Sequence, residues 1–209
     1  MIRPPGFRGT AFGLAAHGDL RVDDTRRRAA AHELGISPEW AFVSQIHSTK
    51  VVRAVQPGRL GEADGIYTTR QALPVAVATA DCVPVVLEGQ GFAAVVHAGW
   101  RGASAGVLES TLRTLAGLGL IVDRAAIGPS IGPCCYEVGE EVAERFPGFV
   151  GETSWGTTSV DLGGYLGTVL ESVPVWRSER CTYTDSSLNS YRRNRTKLRQ
   201  VAVAWLPTA

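Results

Sequence analysis

The chain has 209 residues, of which 44% are hydrophobic and 20% charged, the balance of an ordinary globular protein that can bury one core. A formal net charge of +1 excludes a global electrostatic attraction to nucleic acid or to an anionic membrane, and the apolar stretches at 83–87 and 92–96 are too short to cross a bilayer. The start of the chain lacks the apolar block of a secretory signal, so we expect a cytoplasmic protein with no obligate protein partner, whose cysteines stay reduced.

Short elements are expected along the chain, because glycine (24 residues) and proline (11 residues) recur throughout. A helix is predicted over 24–34, where Asp23 or Asp24 can cap the first turn and Gly35 ends the run. Residues 42–55 alternate loosely and indicate a pair of strands or one long bent strand. The segments whose Val and Ala content predicts buried strands are 75–79, 83–87 and 92–97.

The spacing of apolar residues changes after residue 103. Leu108, Leu112 and Leu115 recur at i, i+4 and i+7, which predicts an amphipathic helix ending near Gly117. The other predicted elements are strands at 124–127, 180–184 and 200–206 and helices at 138–146 and 160–173. Strands interleaved with helices predict the α+β class, with one domain in which helices cover mixed β-sheets.

Three side chains next to apolar strands are candidate metal ligands. His97 ends a strand and opens the loop HAGWRG, Cys82 lies in TADCVPVVL, and His47 lies in SQIHSTK. Two imidazoles and one thiolate suit Zn²⁺, and three protein ligands leave a fourth position open, as in catalytic zinc sites. Copper fits less well, because a blue-copper site usually adds an axial methionine and the only methionine is Met1. Spacing alone also fits packed core residues, since no CxxC or HExxH pattern occurs.

Six sequence blocks carry a family resemblance: SQIHSTKVV, ADGIYTTR, TADCVPVVL, VVHAGWRGASAGVLESTL, IGPSIGPCCYEVGEEV and CTYTDSSLNSYRRNR. Together they resemble the YfiH-like family, also called the polyphenol oxidoreductase (laccase) domain or peptidoglycan editing factor family. The blocks run from about residue 40 to the C-terminus of a single domain that spans 1–209. The resemblance implies that His47, Cys82 and His97 bind zinc, and that the fold is distantly similar to a toxin deamidase domain.

The resemblance also implies an enzyme acting on small molecules. The implied activities are phosphorolysis of purine nucleosides (adenosine, inosine and methylthioadenosine) and deamination of adenosine, with phosphate as the second substrate. Zinc suits the deamination because it can activate water for attack on the purine C6. Three alternatives remain open: a hydrolase that removes misincorporated serine from a peptidoglycan precursor, a non-catalytic metal-binding partner of the envelope machinery, and, less favoured, a copper-dependent phenol oxidase.

Two arginine-containing segments are candidates for the phosphate site. In the turn 99–104, Arg101 and the amides at the start of a helix can face an anion. Arg192 and Arg193 can bind phosphate in a bidentate manner, and the resemblance implies a functional, catalytic role for Arg193. Tyr191 is a candidate for stacking on the purine, although packing explains it equally well.

Acidic, amide and thiol groups complete the predicted site. Asp81 and Asp64 are candidates for orienting a ligand histidine or acting as a general base, and Asp64 is equally a candidate for shaping a turn. Gln45, two residues before the first ligand histidine, is a candidate substrate contact. Cys134 and Cys135 are also candidates for lining the substrate pocket, and the alternative is that they are small buried residues in a tight loop.

The chain departs from the family pattern in three places. Ser48 stands where the family commonly has glycine, and Asn194 and Arg195 stand where it often has Asp-Gly. The N-terminal segment looks shortened and lacks a recognisable Thr-Thr-Arg-x-Gly-Gly sequence. The implied zinc ligands are intact, and the shortened segment would alter substrate specificity if it shapes the substrate pocket.

Overall fold

Two β-sheets packed face to face form the centre of the protein, whose computed structural model describes residues 1–207. The strands are β1 (Thr10–Phe12), β2 (Ala41–Ser44), β3 (Val51–Ala54), β4 (Gly58–Glu62), β5 (Gly65–Thr68), β6 (Val75–Thr79), β7 (Val83–Gly89), β8 (Phe92–Ala98), β9 (Val122–Ile127), β10 (Val150–Glu152), β11 (Thr158–Val160), β12 (Val175–Arg177) and β13 (Gln200–Ala204). The helices are α1 (Asp24–Leu34), α2 (Trp100–Ser104), α3 (Val107–Gly117), α4 (Glu140–Ala143), α5 (Leu162–Val169) and α6 (Tyr191–Asn194).

Both sheets mix parallel and antiparallel strands. The first sheet has the order β1-β13-β6-β2-β4, in which β2 runs parallel to β4 and β6 while β13 runs antiparallel to β6. The second sheet has the order β12-β9-β7-β8-β5-β3, with parallel pairs at its two edges and antiparallel pairs in its centre. Strands β10 and β11 form a separate ribbon. The predicted α+β class with mixed sheets is confirmed.

The side chains of each sheet alternate between two apolar layers. In β6, Val75 and Val77 pack between the sheets, whereas Ala76 and Ala78 pack in the layer that includes residues of α1. On the outer face of the second sheet, a third apolar layer contains residues of α3 and α5. The order of layers is therefore helix, sheet, sheet, helices. None of the helices among residues 1–207 is long and apolar enough to span a bilayer.

This alternation brings His97 to one end of the space between the sheets. Ala93 and Val95 of β8 lie in the layer between the sheets, and His97 continues the same face two residues later. The β7–β8 pairing sets Pro84 opposite His97, so Cys82, which directly precedes β7, lies beside the same strand end. Two of the three predicted ligands are thus neighbours because of strand register alone.

Local signals for the two longest helices are confirmed. Asp23 caps α1 by accepting a hydrogen bond from the Arg26 N–H (3.0 Å), and Gly35 ends it in the left-handed region. In α3, Leu108 and Leu115 are fully buried in the outer layer of the second sheet, and the helix ends at Gly117 as predicted. The predicted strands at 75–79, 83–87, 92–97, 124–127 and 200–206 are present as β6, β7, β8, β9 and β13.

Two predictions about strands are wrong, one on the pairing of two strands and one on a segment that forms a turn. Residues 42–55 contain β2 and β3, but the two strands lie in different sheets and do not form a pair. Residues 180–184 do not form a strand: Cys181 makes one isolated bridge to Ser130, and its carbonyl then accepts from the Asp185 N–H (3.0 Å), which closes a turn. A turn there prevents the segment from continuing along the sheet.

Two predicted helices are shorter than expected. In 138–146, the Val138 N–H donates to the Thr158 carbonyl (2.9 Å), which keeps the chain extended until the single turn of α4. In 160–173, the Asp161 side chain accepts from the Gly164 N–H (2.8 Å), so α5 begins only after residue 161. The strands β1, β4, β5, β10, β11 and β12 have no predicted counterpart, because their three to five residues are too few to establish an alternation.

Arg195 provides a test of backbone strain at the end of α6. It adopts φ 58°, in the left-handed region, while its N–H donates to the Tyr191 carbonyl (2.8 Å) and its guanidinium lies 5.2 Å from the Tyr191 ring centre. We expect Arg195→Gly to be more stable than Arg195→Ala by about 1 kcal/mol, because only glycine adopts this φ without steric cost. Urea unfolding of both variants measures the difference. Both lack the guanidinium, so equal stabilities would contradict the assignment of strain.

Candidate metal centre

The three predicted metal ligands converge at one end of the two sheets. One nitrogen of His47, one of His97 and the sulfur of Cys82 all lie within 4.8 Å of one another. The Cys82 Sγ is 3.9 Å from the His47 Nε2, and the two imidazole rings meet edge to face with centres 4.9 Å apart. His97 comes from the end of β8, Cys82 is the residue before β7, and His47 comes from the loop after β2. The expectation that these residues form one cluster is confirmed.

A fully buried carboxylate, Asp64, fixes the orientation of this cluster. Its Oδ1 lies 2.8 Å from the His97 Nδ1, which leaves the other ring nitrogen of His97 free to act as a ligand. The same carboxylate accepts the backbone N–H groups of His47 (3.0 Å) and Ser48 (2.6 Å) and the Ser48 hydroxyl (2.9 Å). Asp64 therefore does both things left open by the sequence: it orients a histidine and shapes a turn.

The charges within the cluster support one another. Desolvation raises the pKa of Asp64, but the hydrogen bonds from His97 and Ser48 outweigh it and bring the pKa to about 2. Desolvation also opposes the Cys82 thiolate, yet positive charge on His97 and hydrogen bonds from both histidines lower its pKa to about 6. For His97, the Cys82 thiolate and Asp64 overcome desolvation and raise the pKa to about 9. The thiolate, the form that binds metals, is therefore favoured, and a metal ion would take the place of the proton on the second nitrogen of His97.

The space around the cluster is consistent with a metal ion. A Cβ at Gly99 would lie 2.6 Å from the His47 Cδ2 and 3.1 Å from the Cys82 Sγ, so a side chain at this position would displace the ligands. Two imidazole nitrogens and one sulfur fit zinc, which takes such mixed sets. The axial methionine of a blue-copper site is not available, because Met1, the only methionine, has its amino group 2.6 Å from Glu33.

A cavity of about 570 Å³ opens onto all three ligands. Of the predicted substrate contacts, Gln45 and Tyr191 line it. The Gln45 amide nitrogen donates to the Ala78 carbonyl (2.7 Å) and its oxygen accepts from the Ala78 N–H (2.8 Å), which connects the residue after β2 to β6. Tyr191 is 44% exposed at the cavity, and the guanidinium groups of Arg195 and Arg199 lie 5.2 and 6.0 Å from its ring centre.

Three arginines that line the same cavity have no signal in the sequence: Arg21, Arg59 and Arg199. Arg21 is paired with Asp19 through two hydrogen bonds (2.9 and 2.6 Å). Within residues 1–207, neither Arg59 nor Arg199 takes part in an ion pair. The three lie far apart in the chain and in no common motif, so only the fold reveals that they share a wall.

Both carboxylate oxygens of Asp81 accept hydrogen bonds from other residues of the chain. The residue adopts φ 96°, its Oδ1 accepts from the Thr182 hydroxyl (2.6 Å), and its Oδ2 accepts from the Arg192 N–H (2.6 Å). The Arg192 guanidinium lies 5.3 Å from the centre of the Tyr136 ring and donates to a backbone carbonyl. Asp81 and Tyr136 line a small second cavity of about 60 Å³ on the other side of Cys82.

The other predicted contacts lie outside the large cavity. The guanidinium of Arg193 donates to the carbonyls of Thr182, Tyr183, Asp185 and Leu188. Arg101 lies 4.6 Å from the ring centre of Trp100, and neither Arg101 nor Arg193 lines either of the two cavities that border the metal ligands. Cys134 and Cys135 form a separate cluster with Cys181.

Comparison with known proteins identifies relatives along nearly the whole chain. A protein of Corynebacterium glutamicum named as a purine nucleoside phosphorylase is 36% identical over 94% of this chain and 87% of its own length. A protein of Escherichia coli named purine nucleoside phosphorylase YfiH is 34% identical over 94% of this chain and 86% of its own length. These names give the family a phosphorylase-like function.

Solved structures share the fold. YlmD from Geobacillus stearothermophilus superposes with a TM-score of 0.83 at 26% identity, covering 99% of this chain and 98% of its own. The Neisseria meningitidis protein NMB0706 gives a TM-score of 0.75 at 29% identity, covering 88% of this chain and 80% of its own. The family described as multi-copper polyphenol oxidoreductase laccase matches residues 6–207, which includes the N-terminal segment before the recognisable blocks. The chain belongs to this family, whose members include the YfiH proteins.

Proposed function

We propose that this protein is a zinc-dependent purine nucleoside phosphorylase that also deaminates adenosine. The observation that carries the proposal is that one cavity is lined by the His47, Cys82 and His97 cluster together with Arg59 and Arg199, neither of which forms a salt bridge with a described residue. The names of the relatives support the same reaction. The volume of about 570 Å³ is in the range of small-molecule sites and suits a nucleoside with phosphate.

Phosphorolysis requires an anion site next to the sugar. An oxygen of phosphate attacks C1′, the bond from C1′ to the purine nitrogen breaks, and its electron pair leaves with the base, which takes up a proton. The products are the free base and ribose 1-phosphate. Arg59 and Arg199 are assigned to bind phosphate, because both line the cavity without a salt bridge to a carboxylate of the described chain and guanidinium groups match phosphate geometry.

The remaining groups bind the nucleoside and maintain the ligand geometry. The half-exposed ring of Tyr191 is assigned to stack on the purine, beside the guanidinium groups of Arg195 and Arg199 that lie 5.2 and 6.0 Å from its centre. Asp64 keeps His97 in the tautomer that presents its free nitrogen to the cluster. Zinc, when bound, supplies a Lewis acid with an open coordination position.

Product analysis tests the proposed function. Zinc-loaded protein is incubated with adenosine in the presence and absence of phosphate, and the products are separated by chromatography. We expect adenine and ribose 1-phosphate only with phosphate, and inosine in both cases. His47→Ala, which removes a ligand, is the matched control and should form none of them. Fully zinc-loaded protein that forms neither adenine nor inosine overturns the proposal, and serine release from a muramyl-serine nucleotide would then favour the hydrolase.

Asp64→Asn tests the role of the buried carboxylate in metal binding. The amide has nearly the same shape but loses the charge, so we expect zinc affinity to fall by about 10- to 100-fold, as for other groups that orient ligand histidines. Competition with a chelator of known affinity measures the change. Asp123→Asn removes a carboxylate from the exposed part of β9 and serves as control. Equal zinc affinity in both variants would contradict the assignment.

Arg59→Ala tests the phosphate site separately from the metal. Loss of a charged hydrogen-bond donor should raise the KM for phosphate at least about tenfold while leaving zinc content unchanged. Arg53→Ala, which removes an exposed strand arginine outside the cavity, should leave the KM unchanged. If Arg59→Ala keeps the KM of the parent protein, phosphate binds elsewhere.

A further inference from the structure

A second cluster of metal-binding side chains lies outside the cavity of the proposed reaction. The sulfur atoms of Cys134, Cys135 and Cys181 all lie within 4.8 Å of one another, and those of Cys134 and Cys135 are 3.3 Å apart. All three cysteines are free thiols. None of them lines the large cavity or the small one beside Cys82.

Two hydrogen-bonded segments bring the three sulfurs together. The N–H groups of Cys135 and Tyr136 both donate to the Gly132 carbonyl (3.0 and 2.9 Å), which folds the chain into a tight turn around Cys134. A bridge between Ser130 and Cys181 then aligns this turn with the second segment. The cluster is therefore imposed by the backbone, since residues 134 and 181 are distant in sequence.

The turn also places a backbone N–H group and a residue without a side chain next to the sulfurs. The Gly132 N–H donates to the Cys181 Sγ (3.2 Å), which favours the thiolate form of Cys181. A Cβ at Gly132 would lie 3.5 Å from the Cys134 Sγ and 3.7 Å from the Cys181 Sγ, so glycine keeps a side chain away from this side of the two sulfurs.

We propose that Cys134, Cys135 and Cys181 form a second metal site, specific for a soft monovalent ion of the copper(I) class. Among residues 1–207, no histidine, aspartate or glutamate joins this cluster, so its ligand set is sulfur alone. A metal–sulfur bond of about 2.3 Å in a flat three-ligand site separates the sulfurs by about 4 Å, which is longer than the 3.3 Å between Cys134 and Cys135 and within the 4.8 Å that encloses all three sulfurs. Structural zinc sites take four ligands, whereas this cluster offers three soft thiolates, a set that suits Cu(I).

Binding is an exchange of protons for metal and involves no electron transfer. The ion enters as Cu(I), the thiol protons leave to solvent, and each sulfur becomes a thiolate ligand. The bound ion connects the turn at 130–136 to the segment at 181–185. Both contact Asp81: the Ile131 N–H donates to its carbonyl (2.9 Å) and the Thr182 hydroxyl to its carboxylate (2.6 Å). Occupancy should therefore stabilise one wall of the small cavity.

Cys82→Ser provides a clean background for the test, because the chain has four cysteines and the three that remain all belong to this cluster. The variant is titrated anaerobically with Cu(I) in competition with bicinchoninate, and copper-edge X-ray absorption identifies the ligands. We expect one Cu(I) per chain with three sulfur ligands and a raised melting temperature. Failure to take Cu(I) from the competitor, or nitrogen and oxygen ligands, overturns the proposal.

A second substitution in the same background identifies the ligands individually. Adding Cys134→Ser or Cys181→Ser to Cys82→Ser should abolish binding in competition with bicinchoninate, and far-UV circular dichroism verifies that each variant is folded. Retention of tight binding by either folded variant overturns the assignment, and so does a preference for Zn²⁺ over Cu(I) in the Cys82→Ser protein. These readouts do not depend on phosphorylase activity, so they remain decisive whether or not adenosine is a substrate.

Discussion

The buried carboxylate of Asp64 is the interaction on which the metal centre depends. An ionised carboxylate without contact to water is tolerated only when hydrogen-bond donors surround it, and here they come from the loop after β2 and from His97 at the end of β8. Strand β2 belongs to the first sheet and β8 to the second. A single side chain therefore joins the two sheets where the three candidate ligands His47, Cys82 and His97 meet.

Backbone strain is concentrated at the same place. His47 and Asp81, with φ 59° and 96°, are two of only four non-glycine residues within 1–207 that have positive φ. Each costs on the order of 1 kcal/mol and persists because neighbouring groups fix it. Asp64 fixes His47, whereas Thr182 and Arg192 fix Asp81. Arg193 stabilises this arrangement indirectly, because its guanidinium donates hydrogen bonds to backbone carbonyls of the segment that contains Thr182.

The sequence predicts individual helices and strands, but it does not predict which distant residues the pairing of strands brings together. Helix α1, with Asp23 and Gly35 at its ends, and the apolar strands β6, β7 and β8 follow from residue type and spacing. The metal trio was identified from its neighbouring residues and from the family blocks. Arg59 and Arg199 cannot be identified from the sequence as part of the site, because they line the same cavity only once β4 and the chain before β13 have folded around it. Likewise Cys181 joins Cys134 through a single bridge outside any long strand.

The departures from the family pattern fall where the structure compensates for them. Ser48 does not require the conformational freedom of glycine, because its φ is not positive, and its hydroxyl adds a hydrogen bond to Asp64. Ser48 thus strengthens the contact that orients the ligands. Arg195, in contrast, occupies a left-handed position that suits glycine, and its guanidinium stacks on Tyr191 at the cavity. The first change reinforces the metal centre and the second modifies the cavity wall, so the two act on different parts of the site.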